Sequence, residues 1–323
     1  MKSLVRVLSA IGACAAPVVV CAQGAPYPVK PVRVIVPYPA GGGTDLVMRA
    51  IQPVLAERLG QPVVIDNRPG ATGAIGSEIA AHSTPDGYTL LAHTSGGLAI
   101  APHTMPQIRF DPRKDFAPIS QITSSPFVLL VHPKLAATSV AELVALARAK
   151  PGALNYSSSG VGSSTHLSAL LLCKLTGVNM VHVAYKGSGP ATADLVAGHV
   201  QLRFSSIPPA MPHVKSGRLR ALATTGAKRF SLLPELPAVA ETVPGYVVDS
   251  WYVVLAPAKT SSAIVAKLNT EVNASLQSPD VRSRLRSEGV EAVGTTPQHA
   301  AKLIAEEFAR WGPLVKEAGA KAD

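Results

Sequence analysis

The residues of this sequence best suited to chemistry are the glycines and small polar side chains of segment 37–45, Pro-Tyr-Pro-Ala-Gly-Gly-Gly-Thr-Asp. The segment joins an apolar run, predicted as the buried strand Val32–Val36, to a helix predicted over residues 44–59. The first amide groups of a helix have no intrahelical partner and carry the positive end of its dipole, so they suit a carboxylate or phosphate. The candidate ligand-binding residues here are Tyr38, Gly42, Gly43, Thr44 and Asp45.

Two other interpretations of this segment were compared with ligand binding. A P-loop is excluded because no Gly-Lys-Ser/Thr follows and no lysine is near enough to reach a phosphate. An ordinary glycine-rich turn, with Thr44 as the helix cap, stays open because glycine is common in turns. If a ligand does bind here, Tyr38 would offer it an apolar wall with a polar tip.

Three further segments rich in glycine and hydroxyl side chains follow predicted strands, at residues 67–76, 93–97 and 157–165. In open α/β sheets such loops meet at the carboxyl ends of the strands, where ligands bind. Because their contents are backbone amides and hydroxyls rather than acids and bases, they favour holding a small anion over transforming it. These segments add the candidates Thr72, Thr94, Ser95, Ser158, Ser159, Ser163 and Thr165.

The sequence lacks the residue patterns that other kinds of chemistry require. Gly160 and Gly162 precede a predicted helix, but Thr165 stands at the third glycine position, which argues against a dinucleotide fingerprint. No Gly-x-Ser-x-Gly elbow and no HExxH or Cys/His cluster occurs, so we predict no metal and no cofactor. His166 and His182 are expected to be packed or hydrogen-bonded rather than catalytic.

The composition sets further limits. The chain has 323 residues, of which 47% are hydrophobic, and this excludes full disorder. Its three cysteines exclude a disulfide scaffold, and Cys173 is expected to be an inert, buried thiol. The formal charge of +10 is spread over single Lys and Arg residues with only 5% aromatic residues, so we predict no nucleic-acid partner.

The first 22 residues have the layout of a secretory signal peptide. Lys2 and Arg6 precede an apolar run, and small residues before Gln23 form a cleavage site near Ala22. A membrane anchor would need a longer, uninterrupted run, and lipid attachment at Cys21 would follow a poor recognition sequence. We therefore expect export to the periplasm, with no membrane insertion after cleavage.

Strands and helices alternate along the rest of the chain, which predicts an α/β fold with largely parallel sheets. Ser139 and Glu142 form a capping box, Gly60 and Gly177 end helices, and Pro190 is expected to open another. Two helices are expected after the strand at residues 251–255, the last with core positions Ile304, Phe308, Trp311 and Val315. Crossovers between two lobes are placed near residues 123–126 and 243–245.

The order of these landmarks resembles the Bug-type extracytoplasmic solute receptors of tripartite tricarboxylate transport systems. The resemblance covers essentially the whole chain after residue 22, and each motif alone is weak. The matching pieces are residues 36–45, 67–76, 85–90, 155–167, 182–187, 217–222, 233–237, 250–251 and 256–257.

The resemblance implies a two-lobed, periplasmic-binding-protein-like fold with mostly parallel sheets and a ligand cleft between the lobes. Lobe 1 would comprise residues 23–124 and 248–323, and lobe 2 residues 125–247. It further implies a non-enzymatic receptor that closes over a small carboxylate ligand. We expect a monomer that could deliver its ligand to the membrane subunits of a tripartite transporter or to a sensor.

One position departs from the resembling family, in which many members carry an acidic residue just after the strand that matches residues 200–204. Here that position is Ser205, a neutral hydroxyl, so we hypothesise a ligand without an ammonium group. The competing class is an exported α/β enzyme acting on a small carboxylate in the same cleft. A His or acidic side chain touching Ser158 or Ser163 would favour that alternative.

Overall fold

The computed structural model describes residues 27–185, 187–317 and 319, so the predicted signal segment lies outside the described residues. The strands are β1 Val32–Val36, β2 Val63–Asn67, β3 Thr89–Thr94, β4 Phe116–Val131, β5 Asn155–Ser158, β6 Val181–Ala184, β7 Leu202–Ser206, β8 Arg220–Thr224, β9 Asp249–Pro257 and β10 Glu291–Ala292. The α-helices are α1 Gly43–Leu59, α2 Ala74–Ala81, α3 Ala101–Thr104, α4 Val140–Ala149, α5 Ser164–Thr176, α6 Ser188–Ala197, α7 Ile207–Lys215, α8 Ser262–Ser275, α9 Pro279–Ser287 and α10 Pro297–Glu317. A π-helical turn, Gly96–Ile100, links β3 to α3.

The sheet is mixed, and its parallel parts lie on its two sides. Strands β2, β1 and β3 run parallel on one side, and β6, β5 and β7 run parallel on the other. Between them β9 is antiparallel to β3 and β4, and β4 is also antiparallel to β7, β8 and β10. The predicted α/β class is confirmed, but mostly parallel pairing holds only for the outer strands.

Strand β4 runs for 16 residues, of which only the second part, residues 127–131, is a continuous apolar run. Its first part, from Phe116 to Pro126, pairs with β9, and its second part, from Phe127 to Val131, pairs with β7 and β8. The first part contains many polar residues, so hydropathy alone gives no strand signal there. Its residues Ser120 and Thr123 are nevertheless fully buried. The predicted lobe boundaries fall where β4 changes partners and just before β9, and they stay a prediction.

Local signals for helix ends agree well with the structure. Ser139 accepts a hydrogen bond from the Glu142 amide at 3.2 Å, and Gly60 and Gly177 end α1 and α5 in the left-handed conformation. The helix expected to open at Pro190 begins two residues earlier, at Ser188. Three helices follow β9, rather than the two predicted from the sequence. The sequence does not indicate α9, because this polar segment buries only Val281 and Leu285 and so has a weak apolar pattern.

The core has one cluster on each side of the sheet and a third between the second part of β4 and helices α6 and α7. Trp251 of β9 and Trp311 of α10 are both 2% exposed and belong to the largest cluster. Of the predicted core positions in α10, Ile304, Trp311 and Val315 are buried, while Phe308 is half-buried. No helix in the described part of the chain is both long and apolar enough to span a bilayer.

Candidate functional site

The loop after β1 presents the unpaired start of α1. Gly42 is the N-cap and gives no side-chain hydrogen bond, so the first amides of the helix have no acceptor within the helix. A Cβ on Gly43 would lie 2.7 Å from the Tyr252 hydroxyl, so the β9 tyrosine lies directly against this helix start. Thr44 is 3% exposed and packs behind the loop. The segment thus offers backbone donors beside a tyrosine hydroxyl.

Asp45 holds this loop together. It is 1% exposed, and its carboxylate accepts hydrogen bonds from the Gly41 amide at 2.8 Å, Arg49 at 2.8 Å and Asn67 at 3.0 Å. Burial raises the pKa of Asp45, but the hydrogen bonds from Arg49, Gly41 and Asn67 together outweigh burial and hold the pKa below its usual range. The carboxylate is therefore ionised and fully engaged within the protein.

A second cluster joins Tyr38 to the end of β3. The Tyr38 hydroxyl lies 3.0 Å from Thr94 Oγ1, and Thr94 Oγ1 accepts a hydrogen bond from the Gly97 amide at 3.2 Å. His93 is fully buried beneath them, and its Nδ1 accepts from the Thr94 amide at 2.8 Å. Burial lowers the pKa of His93 to about 3, so this ring is neutral and serves as a fixed support.

Two glycines are needed for this packing. A Cβ on Gly97 would lie 1.8 Å from His93 Cε1, and one on Gly73 would lie 3.0 Å from the same atom. Both glycines come from the predicted ligand loops, and the close approach explains why these loops carry glycine. The candidate Thr72 lies beside Gly73, and its side chain is outside the described residues.

The loop between β5 and α5 gathers three predicted hydroxyl groups. Thr165 Oγ1 lies 3.0 Å from Ser163 Oγ and 3.1 Å from Ser159 Oγ, and it accepts from the Ser159 amide at 3.0 Å. Ser163 Oγ also caps α5 by accepting from the His166 amide at 3.2 Å. The structure therefore brings Ser159, Ser163 and Thr165 together at one helix start.

Ser158 differs from these three residues because it points into the protein. Its side chain is 0% exposed, and Ser158 Oγ lies 2.6 Å from His182 Nε2. The His182 ring stacks on His166 at 3.8 Å, and burial lowers the pKa of both rings, that of His166 to about 4. Both histidines are packed as predicted, but the contact between Ser158 and His182 is the one named above as favouring an enzyme.

The turn after β3 and the loop between β5 and α5 border a cleft of about 450 Å³. One wall is the π-helical turn with α3, the opposite wall is the loop before α5, and Ser188, Ser206 and Phe127 complete the lining. Three helices begin at this cleft, α5 at Ser164, α6 at Ser188 and α7 just after Ser206. None of the described residues that line it is acidic or basic, so helix starts, amides and hydroxyls set its electrostatics.

Only some predicted site residues line this cleft. Ser159, Ser163 and Thr165 line it directly, and Ser95 precedes the lining residue Gly96. The other candidates are not among the lining residues: Tyr38, Gly42, Gly43, Thr44, Asp45, Thr94, Ser158 and Ser205, of which Ser205 is 2% exposed next to Ser206. In the described residues no group of three His, Cys, Asp or Glu side chains gathers to hold a metal ion.

Comparison with known proteins identifies the family. Residues 47–320 match the model of the family described as "Tripartite tricarboxylate transporter family receptor". The chain belongs to this receptor family. It is 39% identical over 297 residues to "Protein BugT" of Bordetella pertussis, which covers 91% of both chains.

Two solved structures of relatives contain small carboxylates. The structure of Rpa4515 of R. palustris with adipate is 40% identical, has a TM-score of 0.74 and covers 91% of this chain and 98% of its own. The structure of MatC from Rhodopseudomonas palustris with bound malate is 34% identical, has a TM-score of 0.70 and covers 90% of this chain and 100% of its own. Both support the two-lobed receptor fold expected from the sequence motifs.

Sequence reasoning about this receptor missed the side chains that support the loops. Asn67 bonds both the Tyr38 carbonyl oxygen and Asp45, while Tyr252 and Arg203 approach the loops from distant strands. Asn67 stood within a recognised motif, so its amide was an available signal. No local signal marked Tyr252 or Arg203, because strand pairing alone brings them to the site.

Proposed function

We propose that this chain is a periplasmic receptor that captures a small carboxylate in its cleft. The observation that carries the proposal is the convergence of three helix starts on a cleft with no acidic or basic side chain among its described lining residues. Such a surface attracts an anion through the helix dipoles and through the first amides of α5 and α6, whereas Pro208 and Pro209 leave α7 with few amide donors. The relatives solved with adipate and malate support the same ligand class.

Capture is proposed to proceed by closure of the two lobes, with boundaries near residues 124 and 247. The amides of Gly43, at the start of α1, and of Ser95, after β3, would hold the carboxylate on one side. Ser159, Ser163 and Thr165 would close over it from the other side and exclude water, which strengthens hydrogen bonds to the anion. Delivery to the membrane subunits of a tripartite transporter, or to a sensor, and action as a monomer belong to the same proposal.

The proposed ligand has no ammonium group. Ser205, which stands where an acidic residue was expected from the resembling family, is 2% exposed and offers no negative charge. The hypothesis fails if calorimetry finds tight binding of aspartate or glutamate and none of simple carboxylates.

The function is tested by mass spectrometry of ligand retained through native purification, followed by a thermal-shift series of carboxylates. Gly43→Val should remove ligand-induced stabilisation, because the new side chain fills the space between the helix start and the Tyr252 hydroxyl. Ala40→Val, at an exposed position of the same loop, is the matched control. Equal ligand-induced shifts in both variants would show that this loop does not hold the ligand.

The enzyme alternative rests on the 2.6 Å contact between Ser158 Oγ and His182 Nε2. It is opposed by the burial of Ser158 and by the hydrogen bond that its hydroxyl donates to the Gly160 carbonyl oxygen. Within the described part of the chain no carboxylate bonds to either nitrogen of His182, so the ring lacks the acidic partner that a catalytic base would have. Hydrolysis of p-nitrophenyl acetate that Ser158→Ala abolishes would establish the enzyme instead.

A further inference from the structure

Thr225 is hydrogen-bonded to both segments of the chain that cross between the proposed lobes. It directly follows β8 and is fully buried. Its amide donates to the Phe127 carbonyl oxygen at 2.9 Å, and its hydroxyl accepts from the Phe127 amide at 2.7 Å. The hydroxyl also donates to the Val248 carbonyl oxygen, and the Val248 amide donates to the Thr225 carbonyl oxygen at 2.8 Å. The amide, the carbonyl and the hydroxyl of one residue therefore link residues 127 and 248.

The two partners of Thr225 lie where the sheet changes its pairing. Pro126 is the last residue of β4 that pairs with β9, opposite Asp249, and from Phe127 onward β4 pairs with β7 and β8. Val248 directly precedes β9. Residues 126–127 and 248–249 are therefore the two crossover segments, at which the chain passes from one side of the sheet to the other. Thr225 joins these two segments from the side.

The crossover segments reach the cleft through Phe127, which is one of the lining residues. Neither Thr225 nor Val248 is among the described residues that line the cleft. Because Thr225 is also fully buried, it influences a ligand in the cleft only through the geometry of the crossover segments.

We propose that Thr225 is a positioning residue for lobe closure, because its hydroxyl holds the two crossover segments together and makes the lobes turn about one axis. The inference rests on the proposed function, in which the lobes close over a carboxylate. When the two segments are joined, closure orders few additional backbone angles and its entropic cost is small. Without the hydroxyl, the open receptor would sample more lobe orientations. The fraction able to close on a ligand would fall, and the apparent affinity would fall with it.

The first test is calorimetry of the full chain with adipate, malate and succinate, using those that wild-type protein binds. Thr225→Val removes the hydroxyl and keeps the shape of the side chain. It should weaken the binding of every ligand by the same factor, about tenfold, because Thr225 touches none of them. Thr225→Ser keeps the hydroxyl and should bind each ligand within roughly twofold of wild type. Unchanged affinity in Thr225→Val, or equal losses in both variants, would overturn the inference.

The neighbouring threonine provides the matched control. Thr224 is also fully buried, but its hydroxyl has no hydrogen-bond partner in the described structure. Thr224→Val should therefore keep the wild-type affinity within roughly twofold and leave the thermal midpoint the same or higher. If Thr224→Val loses as much affinity as Thr225→Val, the effect belongs to packing at the end of β8 and the inference is wrong.

Small-angle X-ray scattering measures lobe closure separately from stability. Without ligand, Thr225→Val should have a larger radius of gyration than wild type, because its open state is less restricted. Saturation with the tightest-binding of the three carboxylates should bring both proteins to the same radius. A lower thermal midpoint in Thr225→Val with no difference in the ligand-free radius would assign Thr225 a purely structural role.

The proposed function and this inference fail in different ways. If wild-type protein binds none of the three carboxylates and no other member of a carboxylate series, the receptor function fails and the inference fails with it. If wild type binds a carboxylate and Thr225→Val binds it equally well, the receptor function stands and only the inference is overturned. A uniform loss in Thr225→Val that Thr225→Ser restores supports both.

Discussion

Asp45 shows how a residue predicted to bind ligand can act one step behind it. Its carboxylate accepts hydrogen bonds from Gly41, Arg49 and Asn67, and these fix the loop that leads into α1. A motif indicates that an acidic residue belongs at this position, but only the hydrogen bonds show which way it points. The loop amides, rather than the carboxylate, are left to meet an anion.

Asp45→Asn should therefore destabilise the protein and reduce ligand-induced stabilisation. The amide keeps one acceptor oxygen but turns an NH₂ group toward hydrogen-bond donors. This should lower the free energy of unfolding by about 1–3 kcal/mol. Because the folded-state pKa of Asp45 is lowered, its stabilising effect is complete above the unfolded value of 3.8 and disappears as the pH falls through the folded value. Thermal unfolding at pH 7 and below pH 4 checks this, since the gap between variant and wild type should narrow in acid.

Asp111→Asn is the matched control for this variant. Asp111 also pairs with an arginine, Arg113 at 2.8 Å, but it lies in the loop between α3 and β4, away from the residues that line the cleft. It should leave the ligand-induced shift unchanged. A reduced shift in both variants would mean that general stability, rather than loop geometry, governs binding.

At the scale of elements, local signals predicted helices well and the central strands poorly. The Ser139 cap and the glycines at 60 and 177 act within one turn, so the sequence contains all that determines those helix ends. The first part of β4 depends instead on pairing with β9, which lies more than 100 residues later in the chain. The same pairings deliver Tyr252 and Arg203 to the site, and no local pattern could have predicted those contacts.

The start of β9 carries an acid that opposes folding when it ionises. Asp249 pairs across to Pro126, where β4 changes partners, and its side chain is half-buried near Glu307 and Arg310. Burial, and then the nearby Glu307 carboxylate, raise the pKa of Asp249 to about 6. A pKa raised in the folded state means that ionisation of Asp249 costs stability, with no cost below the unfolded value of 3.8 and the full cost above about 6.

Asp249→Asn should consequently raise the thermal midpoint at pH 7.5 by a few degrees, equivalent to about 1–3 kcal/mol. The gain should shrink as the pH falls from 6 to 4, because the wild-type carboxyl then becomes neutral as well. Asp45→Asn has the opposite sign at pH 7.5 and is the internal comparison. A gain for Asp249→Asn that does not change with pH would assign the effect to packing rather than to charge.

At the scale of the whole molecule, the cleft is built where the two sides of the sheet face each other. Gly96 follows β3 on one side and Ser164 begins α5 on the other, and a Cβ on Gly96 would lie 3.7 Å from Ser164 Oγ. Among the described strands, β4 and β9 alone connect the two sides centrally. If the lobes close as proposed, a ligand in the cleft that Gly96 and Ser164 line must enter and leave by the separation of these two walls.

The Gly96→Cys/Ser164→Cys double variant tests closure directly. A Cβ at position 96 lies in contact range of the side chain at position 164, so oxidation of the two cysteines should lock the two walls together. Cys173 should not compete, because burial raises the pKa of its thiol to about 11 and keeps it protonated. We expect release of a bound carboxylate to slow about tenfold or more after oxidation and to recover with reductant, while each single-cysteine variant behaves like wild type. Unchanged release from the cross-linked protein would contradict closure as the mechanism that retains the ligand. The ligand would then leave its site without separation of these walls.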